Sequence, residues 1–411
     1  MSVAIILYIL LGIITFDFLL ERILSFLNLT SSRKPIPKEL EGIYDQEKYK
    51  QSQSYHAEVN KFSNISSTFS FVLLFLAIAL GWFGLLDQWL SSFPPSEFVT
   101  SLLFFGALFV VSDLLGIPFS LYRNFVIEEK YGFNRMTIKT FILDKLKGYA
   151  LTVIIGGILL SSLLILIDKL GSQFWWYFWA VMAAFTLFAN LFYTSLILPL
   201  FNKLKPLDEG ALKDSIQQYS QKVNFPLTNI FIMDGSKRSS KGNAFFSGLG
   251  RKKKVVLFDT LISKHTTEEL TAVFAHEVGH FKKKHIIYST IFSLALMGFM
   301  LYLLSQMVLN EDISLALGGQ GAVIHLNLLA FGILYSPVSS VLSVIGNIIS
   351  RKNEFEADAY AKDTYNAEPL VTGLRKMSSD HLSNLTPHPA YVFVHYSHPP
   401  LKERVKALLD N

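Results

Sequence analysis

The chain of 411 residues contains no cysteine. Disulfide bonds and thiolate chemistry are therefore excluded, and a bound metal ion must be held by nitrogen and oxygen donors. Charged residues are also scarce, because they form 17% of the chain, whereas soluble proteins carry roughly 25%. We draw no nucleic-acid inference from the net charge of +5, because it arises from basic loops on one side of the predicted membrane spans.

Hydrophobic residues make up 51% of the chain and are concentrated in long runs. Seven runs approach or exceed the length that an α-helix needs to cross a bilayer. They are residues 3–20, 69–86, 102–121, 151–167, 174–200, 286–309 and 323–349. The first run lacks a basic start and a small-residue cleavage site, so we interpret it as a retained span. The sequence thus predicts a mainly α-helical protein with seven transmembrane helices.

The loops between these runs differ in charge. The segments after the first and third runs contain Arg22, Arg33, Lys34, Lys38, Lys48, Lys50, Lys61, Arg123, Lys130, Arg135, Lys139, Lys145 and Lys147. The loops after the second, fourth and sixth runs contain only Lys169 as a basic residue. Because basic loops remain cytoplasmic, the N-terminus is predicted to lie outside, and residues 202–284 and the C-terminus in the cytoplasm. A bacterial cytoplasmic membrane is the simplest location.

Several polar side chains occur within the predicted spans. They are Asp17, Asp113, Asn190, His325 and Asn327. Each would be costly to expose to lipid, so it is expected to face a water-filled interior or a polar partner. We favour local structural pairing for each of them.

Residues His276–His280 spell HEVGH, which matches the zinc-protease motif H-E-x-x-H. Residues four apart share a helical face, so both imidazoles can reach one ion. Glu277 lies beside that face and can take a proton from a water whose pKa zinc lowers to about 7. Thr266, three residues before Glu269, predicts a capping box at the helix start. The alternative is a pair of solvated histidines.

A catalytic zinc site needs a third protein ligand. His285 follows His280 by five residues and Lys283 replaces the glycine of the extended motif, so we interpret His285 as an interfacial side chain. Glu354 and Asp358 would share one face of a helix. One carboxylate can bind the metal while the other orients a ligand histidine. These residues alone do not decide whether Glu354 or Asp358 binds the metal. The alternative is that both belong to a solvated, acidic helix start.

Other blocks accompany these motifs: residues 125–134 (FVIEEKYGFN), 198–203 (LPLFNK), 243–245 (NAF), 256–261 (VLFDTL) and 396–404 (YSHPPLKER). With the motif helix, they make the chain from about Leu40 to Leu408 resemble the type I CAAX prenyl endopeptidases, which are integral-membrane zinc proteases. The resemblance implies seven tilted helices enclosing a water-filled chamber. It also implies a small α+β metalloprotease domain at the cytoplasmic end.

The resemblance implies specific roles around one Zn²⁺ ion. The metal ligands would be His276, His280 and Glu354, and Glu277 would be the general base. Asp358 would orient a ligand histidine from the second coordination sphere.

The resemblance places further residues at the substrate. His398 and Arg404 would lie near the scissile carbonyl, where donors stabilise the developing oxyanion and support the site. Packing of a turn beside two prolines is the alternative for His398. Asn243 and Ala244 would lie on an edge strand that pairs with the extended substrate backbone.

We therefore divide the chain into residues 1–201 (spans one to five), 202–285 (metalloprotease domain), 286–350 (spans six and seven) and 351–411 (C-terminal region with the third ligand). The expected function is zinc-dependent endoproteolysis of prenylated or other membrane-associated peptides and proteins by a monomer in the bilayer. One alternative is a quality-control protease of the HtpX-like kind, although those proteins are shorter and have fewer spans. A channel or transporter with a structural metal is a remoter alternative, since it leaves Glu277 without a role.

Overall fold

The first half of the chain forms mostly apolar helices in the computed structural model, which describes residues 2–93, 96–247 and 253–410. The helices are α1 Val3–Ser31, α2 Gln46–Ala79, α3 Trp82–Ser91, α4 Glu97–Tyr122, α5 Ile138–Leu151, α6 Gly157–Leu170, α7 Phe174–Phe192 and α8 Leu198–Phe201. Wider π-helical turns at Arg123–Glu128, Thr152–Gly156 and Tyr193–Ile197 extend or join them. Asp45 caps α2, because its side chain accepts a hydrogen bond from the Lys48 amide at 2.7 Å.

The second half combines a small sheet with further helices. The strands are β1 Leu204–Pro206, β2 Leu227–Met233, β3 Ala244–Ser247 and β4 Lys253–Phe258. The helices are α9 Ala211–Lys222, α10 Asp259–Ile262, α11 Thr267–Lys282, α12 His285–Ser305, α13 Glu311–Ala316, α14 Ile324–Thr364, α15 Ala367–Asp380, α16 Pro389–His395 and α17 Leu401–Leu409. The two longest strands, β2 and β4, coincide with the apolar segments 229–233 (NIFIM) and 254–258 (KVVLF).

The strands form one mixed sheet in the order β1-β2-β4-β3. β2 and β4 are parallel, and β1 and β3 pair antiparallel on either side. β3 therefore has a free edge within the described sheet, and that edge can accept an added strand.

Six helical segments of the described residues are long and apolar enough to cross a membrane. They are Val3–Ser31, Gln46–Ala79, Glu97–Glu128, Ile138–Phe201, His285–Ser305 and Ile324–Thr364. The predicted class, a mainly helical multi-pass membrane protein, is confirmed. α14 continues to Thr364, well beyond the apolar run that ends at 349. As a result, Glu354 and Asp358 lie on the same helix as a membrane span.

The polar residues of the predicted spans all have polar partners. Asp17 accepts from Ser336 at 2.8 Å, Asp113 contacts Lys145 and Tyr149, Asn190 donates to the Thr186 carbonyl at 2.9 Å, His325 contacts Ser101 at 3.0 Å, and Asn327 contacts Ser314 at 2.8 Å. Local pairing removes much of the cost of placing these groups at membrane depth. The pairing that the sequence analysis favoured is present at each position.

The core around the sheet draws on distant parts of the chain. Buried members include Leu40, Ile127, Val255, Ala275 and Val405. These residues come from before α2, from the turn after α4, from the sheet, from α11 and from α17. We call this assembly the sheet layer. Its core extends beyond residues 202–285, and burial of apolar surface from several segments holds it together.

The motif helix α11 begins with the predicted capping box. The Thr266 hydroxyl accepts a hydrogen bond from the Glu269 amide, and the Glu269 carboxylate accepts one from the Thr266 amide. α11 then packs closely on α14. At Gly279 an added Cβ would lie 2.9 Å from the Ala357 Cα. The missing side chain lets the two backbones approach and brings the histidines of α11 to the carboxylates of α14.

Candidate metal centre

The two motif histidines face each other along α11. Their Nε2 atoms are 3.2 Å apart, as the four-residue spacing on one helix predicts. His276 is buried, with 7% of its surface exposed. The alternative interpretation, a pair of solvated histidines, is therefore wrong for His276.

α14 supplies the third donor. Glu354 Oε1 lies 3.3 Å from His280 Nε2, and Glu354 Oε2 lies 3.5 Å from His276 Nε2. In a tetrahedral site with bonds of about 2.0–2.1 Å, donor atoms are about 3.3 Å apart. The three side chains form the metal-compatible group found among the described residues. Their donor set and spacing fit a small divalent cation.

The outer nitrogen of His276 is held by a buried ion pair. His276 Nδ1 is 2.8 Å from Asp358 Oδ1. Arg404 binds the same carboxylate with two hydrogen bonds, of 2.6 Å from Nη2 and 2.8 Å from Nε. Since a carboxylate only accepts, Nδ1 carries the proton, and Nε2 presents its lone pair toward His280 and Glu354. Of the two carboxylates left open by the sequence, Glu354 faces both Nε2 atoms and Asp358 faces Nδ1.

The outer nitrogen of His280 also has a partner, which the sequence analysis missed. His280 Nδ1 is 3.0 Å from His285 Nδ1, and His285 Nε2 is 3.1 Å from Glu356 Oε2. His285 is 6% exposed. The prediction that His285 is not a metal ligand agrees with this geometry. Its interpretation as an exposed interfacial side chain is wrong, because it is buried against His280.

The C-terminal region brings His398 to the same place. His398 Nε2 lies 3.4 Å from Glu354 Oε1, while 64% of the side chain remains exposed. Arg351 donates hydrogen bonds to the carbonyls of Val392 and Tyr396 and thereby holds the preceding segment against α14. His398 is therefore positioned both next to the metal-compatible group and in contact with solvent.

Two family models match nearly the whole chain. Residues 25–203 match the model described as CAAX prenyl protease N-terminal, five membrane helices. Residues 206–411 match peptidase family M48. The chain belongs to peptidase family M48.

Individual proteins of this family align over almost the full length. The chain is 34% identical to the CAAX prenyl protease 1 homolog of Arabidopsis thaliana, over 97% of this chain and 96% of that protein. It is 34% identical to CAAX prenyl protease 1 of Saccharomyces cerevisiae, over 92% of this chain and 89% of that protein. The crystal structure of S. mikatae Ste24p matches with a TM-score of 0.94 and 34% identity, covering 98% and 99% of the two chains. This M48 chain is thus an integral-membrane metalloendopeptidase.

The electrostatics of α11 suit such an M48 centre. Burial lowers the pKa of His276, but hydrogen bonds to Asp358 and Glu354 outweigh it and raise the pKa to about 9. When no cation is bound, these carboxylates therefore favour the positively charged imidazole of His276, and metal binding would require loss of the proton on Nε2. Burial raises the pKa of Glu277, and the charges of His276 and His280 only partly offset that rise. A raised carboxyl pKa brings Glu277 nearer to the range in which a group both accepts and returns protons at neutral pH.

The remaining predicted residues lie at the edge of the sheet. Asn243 is exposed and precedes β3, and its side-chain oxygen accepts a hydrogen bond from the Ala244 amide at 2.8 Å. Ala244 is paired in register with Leu257 of β4. Ala244 thus lies on the strand with the free edge and Asn243 directly before it, where the Asn243 carbonyl accepts a hydrogen bond from the Phe258 amide of β4 at 3.0 Å.

Proposed function

We propose that the metal is one Zn²⁺ ion per chain, held by His276, His280 and Glu354. Two imidazoles and a carboxylate are typical catalytic zinc ligands, and such a set leaves a coordination position open. The absence of cysteine agrees with a nitrogen and oxygen site. The spacing of the three donor groups, 3.2–3.5 Å, is the observation that carries this proposal.

A bound zinc ion supplies Lewis acidity that brings the pKa of water down to about 7 and polarises a carbonyl. We infer that Glu277 accepts the proton of the attacking water and returns it to the leaving amine. His398 is the side chain placed to donate toward the developing oxyanion, because its imidazole is exposed at the site. Partial burial and the charge of Arg404 lower its pKa against the opposing effect of Glu354.

Arg404 has a supporting role in this proposal. Its Nε and Nη2 groups are bound to Asp358, and Nη1 lies 3.4 Å from Glu354. The guanidinium is buried. We therefore assign Arg404 to holding Asp358 and Glu354 in place, rather than to direct contact with the scissile carbonyl.

We propose that the substrate binds as an added strand along β3 beside Asn243 and Ala244, and that it is a peptide presented at the membrane. A cavity of about 970 Å³ between α12 and α14 supports presentation at the membrane, since it extends from His285 and Glu356 into the span at Met300 and Tyr335. The first class to test is prenylated C-terminal peptides, the class in the names of the relatives. The HtpX-like alternative is disfavoured by the match of residues 25–203 to the CAAX protease N-terminal model.

We also propose seven membrane passes. The segment Ile138–Phe201 has 64 residues, which at 1.5 Å per residue is far longer than a bilayer is thick. Gly171 interrupts it with φ of +54°, so the segment can turn and cross twice. The charge pattern then supports an outside N-terminus and a cytoplasmic zinc site. A bacterial membrane, a monomeric state and the domain boundaries given above remain predictions.

Replacement of Glu277 tests the chemistry. Glu277→Gln keeps the side-chain size but removes the base, so cleavage should fall by a factor of at least about 10³ with zinc content unchanged. The measurement is cleavage of a farnesylated CAAX peptide and of an unprenylated membrane polypeptide, with zinc determined by elemental analysis. Glu268→Gln, an exposed change on the same helix, should leave cleavage near the wild-type rate.

Two results would contradict parts of the proposal. Near wild-type cleavage by Glu277→Gln would remove Glu277 as the base. Equal cleavage of both substrates by the wild-type protein would favour the quality-control alternative over prenyl-peptide specificity.

A further inference from the structure

The hydrogen bonds around His280 continue through His285 to Glu356, a carboxylate outside the proposed metal ligands. His280 Nδ1 contacts His285 Nδ1 at 3.0 Å, and His285 Nε2 contacts Glu356 Oε2 at 3.1 Å. Neither His285 nor Glu356 belongs to the metal-compatible group. The catalytic roles assigned above do not use either residue.

The backbone places His285 for this contact. Lys284, between α11 and α12, has φ of +59°, a left-handed conformation that is uncommon for a residue with a side chain. The turn ends α11 and begins α12 at His285. The His285 ring thereby packs 5.1 Å from the His280 ring, centroid to centroid. A continuous helix would not hold side chains five residues apart in this way.

The protons of this hydrogen-bond series can be assigned by starting from Glu356. An ionised carboxylate only accepts hydrogen bonds, so Glu356 accepts one from His285 Nε2. A neutral His285 then has a lone pair on Nδ1, which accepts the proton of His280 Nδ1. His280 is left with its lone pair on Nε2, the atom 3.3 Å from Glu354 Oε1.

We propose that His285 and Glu356 are positioning residues, which fix the orientation and tautomer of the metal ligand His280. They serve His280 as Asp358 and Arg404 serve His276, through an imidazole instead of a direct carboxylate. Loss of a partner at the outer nitrogen of a ligand histidine typically weakens metal binding 10- to 100-fold. This inference rests on the proposed zinc site.

The experiment compares replacements that differ in one hydrogen bond. The full-length protein is purified in detergent, and its Zn²⁺ dissociation constant is measured by competition with a chelator. His285→Leu fills the space without an acceptor, so we expect zinc binding to weaken 10- to 100-fold. His285→Asn keeps an acceptor oxygen near the position of Nδ1, so binding should stay within about threefold of wild type.

Glu356 is tested through its dependence on His285. Glu356→Ala alone should weaken zinc binding about threefold to tenfold, because the His285 tautomer is no longer fixed. In the His285→Asn background the same change should have little further effect, since an amide has no tautomer to fix. Lys352→Ala removes only the exposed 3.8 Å ion pair with Glu356 and leaves the contact of Glu356 with His285. It is the matched control and should bind zinc like wild type.

Several outcomes would overturn the proposal. His285→Leu with wild-type zinc affinity would show that the contact does not act on His280. Equal weakening by His285→Asn and His285→Leu in folded protein would assign His285 a packing role only. Additive effects of His285→Asn and Glu356→Ala would show that Glu356 does not act through His285. Failure of the wild-type protein to bind zinc would instead contradict the proposed function and is visible before any variant is compared.

Discussion

At the scale of single residues, the centre depends on which atom of each imidazole carries the proton. Asp358 fixes that choice for His276, and Arg404 in turn neutralises Asp358. Both members of this pair are buried. Removing one of them leaves an uncompensated buried charge, which costs more than the pair itself contributes. The main role of the pair is therefore to orient the His276 ring, and not to stabilise the fold.

His381 must be neutral in the folded protein, because its Nε2 accepts a backbone hydrogen bond. The stability of the protein therefore depends on pH. The Gly242 amide donates a hydrogen bond to His381 Nε2 at 3.1 Å, directly before the predicted substrate strand. Burial and the charge of Lys241 lower the pKa of His381 to about 4. Between pH 6.5 and 4 the unfolded chain binds a proton that the folded protein excludes. Folded-state stability should therefore fall as pH decreases through this window, by up to about 3 kcal/mol.

The measurement is the midpoint of thermal unfolding between pH 7.5 and 5, followed by intrinsic fluorescence. His381→Gln keeps an acceptor for the Gly242 amide but does not titrate, so its midpoint should fall less steeply with decreasing pH. Other histidines contribute equally to both proteins and cancel in the comparison. Identical pH dependence of the two proteins would contradict the role given to His381.

At the scale of elements, the site exists because α11 and α14 approach closely at Gly279. Gly279→Ala should improve the intrinsic helix propensity of α11 by about 1 kcal/mol. The new methyl would nevertheless meet the α14 backbone, with the Ala357 Cα at 2.9 Å and its carbonyl oxygen at 3.0 Å. Overpacking of this kind costs about 1–3 kcal/mol and moves Glu354 away from the histidines. We expect net destabilisation together with weaker zinc binding.

Thermal unfolding and chelator competition measure the two effects. Gly148→Ala is the matched control, because Gly148 lies inside α5 with no heavy atom within 4 Å of an added Cβ. That change should be neutral or slightly stabilising. Unchanged zinc affinity in Gly279→Ala would show that the close helix contact does not position Glu354.

The elements that could be predicted are those with a local signal. The spacing of His276 and His280 and the capping box at Thr266 are patterns of a few residues. Glu354 follows His280 by 74 residues, so periodicity could not choose between Glu354 and Asp358, whereas the family resemblance could. His285 was misjudged because its contact depends on the left-handed Lys284, which no pattern of side chains indicates.

Hydropathy likewise predicted a mainly helical, multi-pass membrane protein but not the helix ends. α2 begins at Gln46, although its apolar run begins at 69. The polar first half of α2 is stabilised by contacts such as Tyr55 with Glu128 and His56 with the Leu382 carbonyl. Hydropathy reports contact with lipid, while helix length is set by tertiary partners. The same reasoning explains why α14 extends to the metal centre.

At the scale of the whole molecule, the lack of cysteine makes the topology directly testable. Lys130 and Lys169 have side chains that are 58% and 73% exposed. Single changes Lys130→Cys and Lys169→Cys therefore introduce one accessible thiol each, on a background without any. We expect a membrane-impermeant maleimide to label Lys169→Cys in intact cells and Lys130→Cys only after permeabilisation. The reverse pattern would invert the predicted orientation, and equal labelling would contradict a pass between the two loops.

The metal is expected to join the sheet layer to a membrane span, because α11 packs in the sheet layer and α14 continues from the span. Between them, two imidazole nitrogens and a carboxylate converge at 3.2–3.5 Å. Their lone pairs repel unless a cation or a proton lies between them, so zinc binding should stabilise the whole protein. At a free zinc concentration about 100-fold above the dissociation constant, the gain is about 2.7 kcal/mol.

Thermal unfolding in detergent, with chelator or with added zinc, measures this gain. The wild-type midpoint should fall on chelation and recover with zinc, while Glu354→Gln should start lower and respond little to either treatment. Elemental analysis establishes that the chelator has removed the metal. A wild-type protein that loses its zinc but keeps its unfolding midpoint would show that the ion does not hold α11 and α14 together. In that case the close packing at Gly279 alone would have to keep Glu354 next to the histidines.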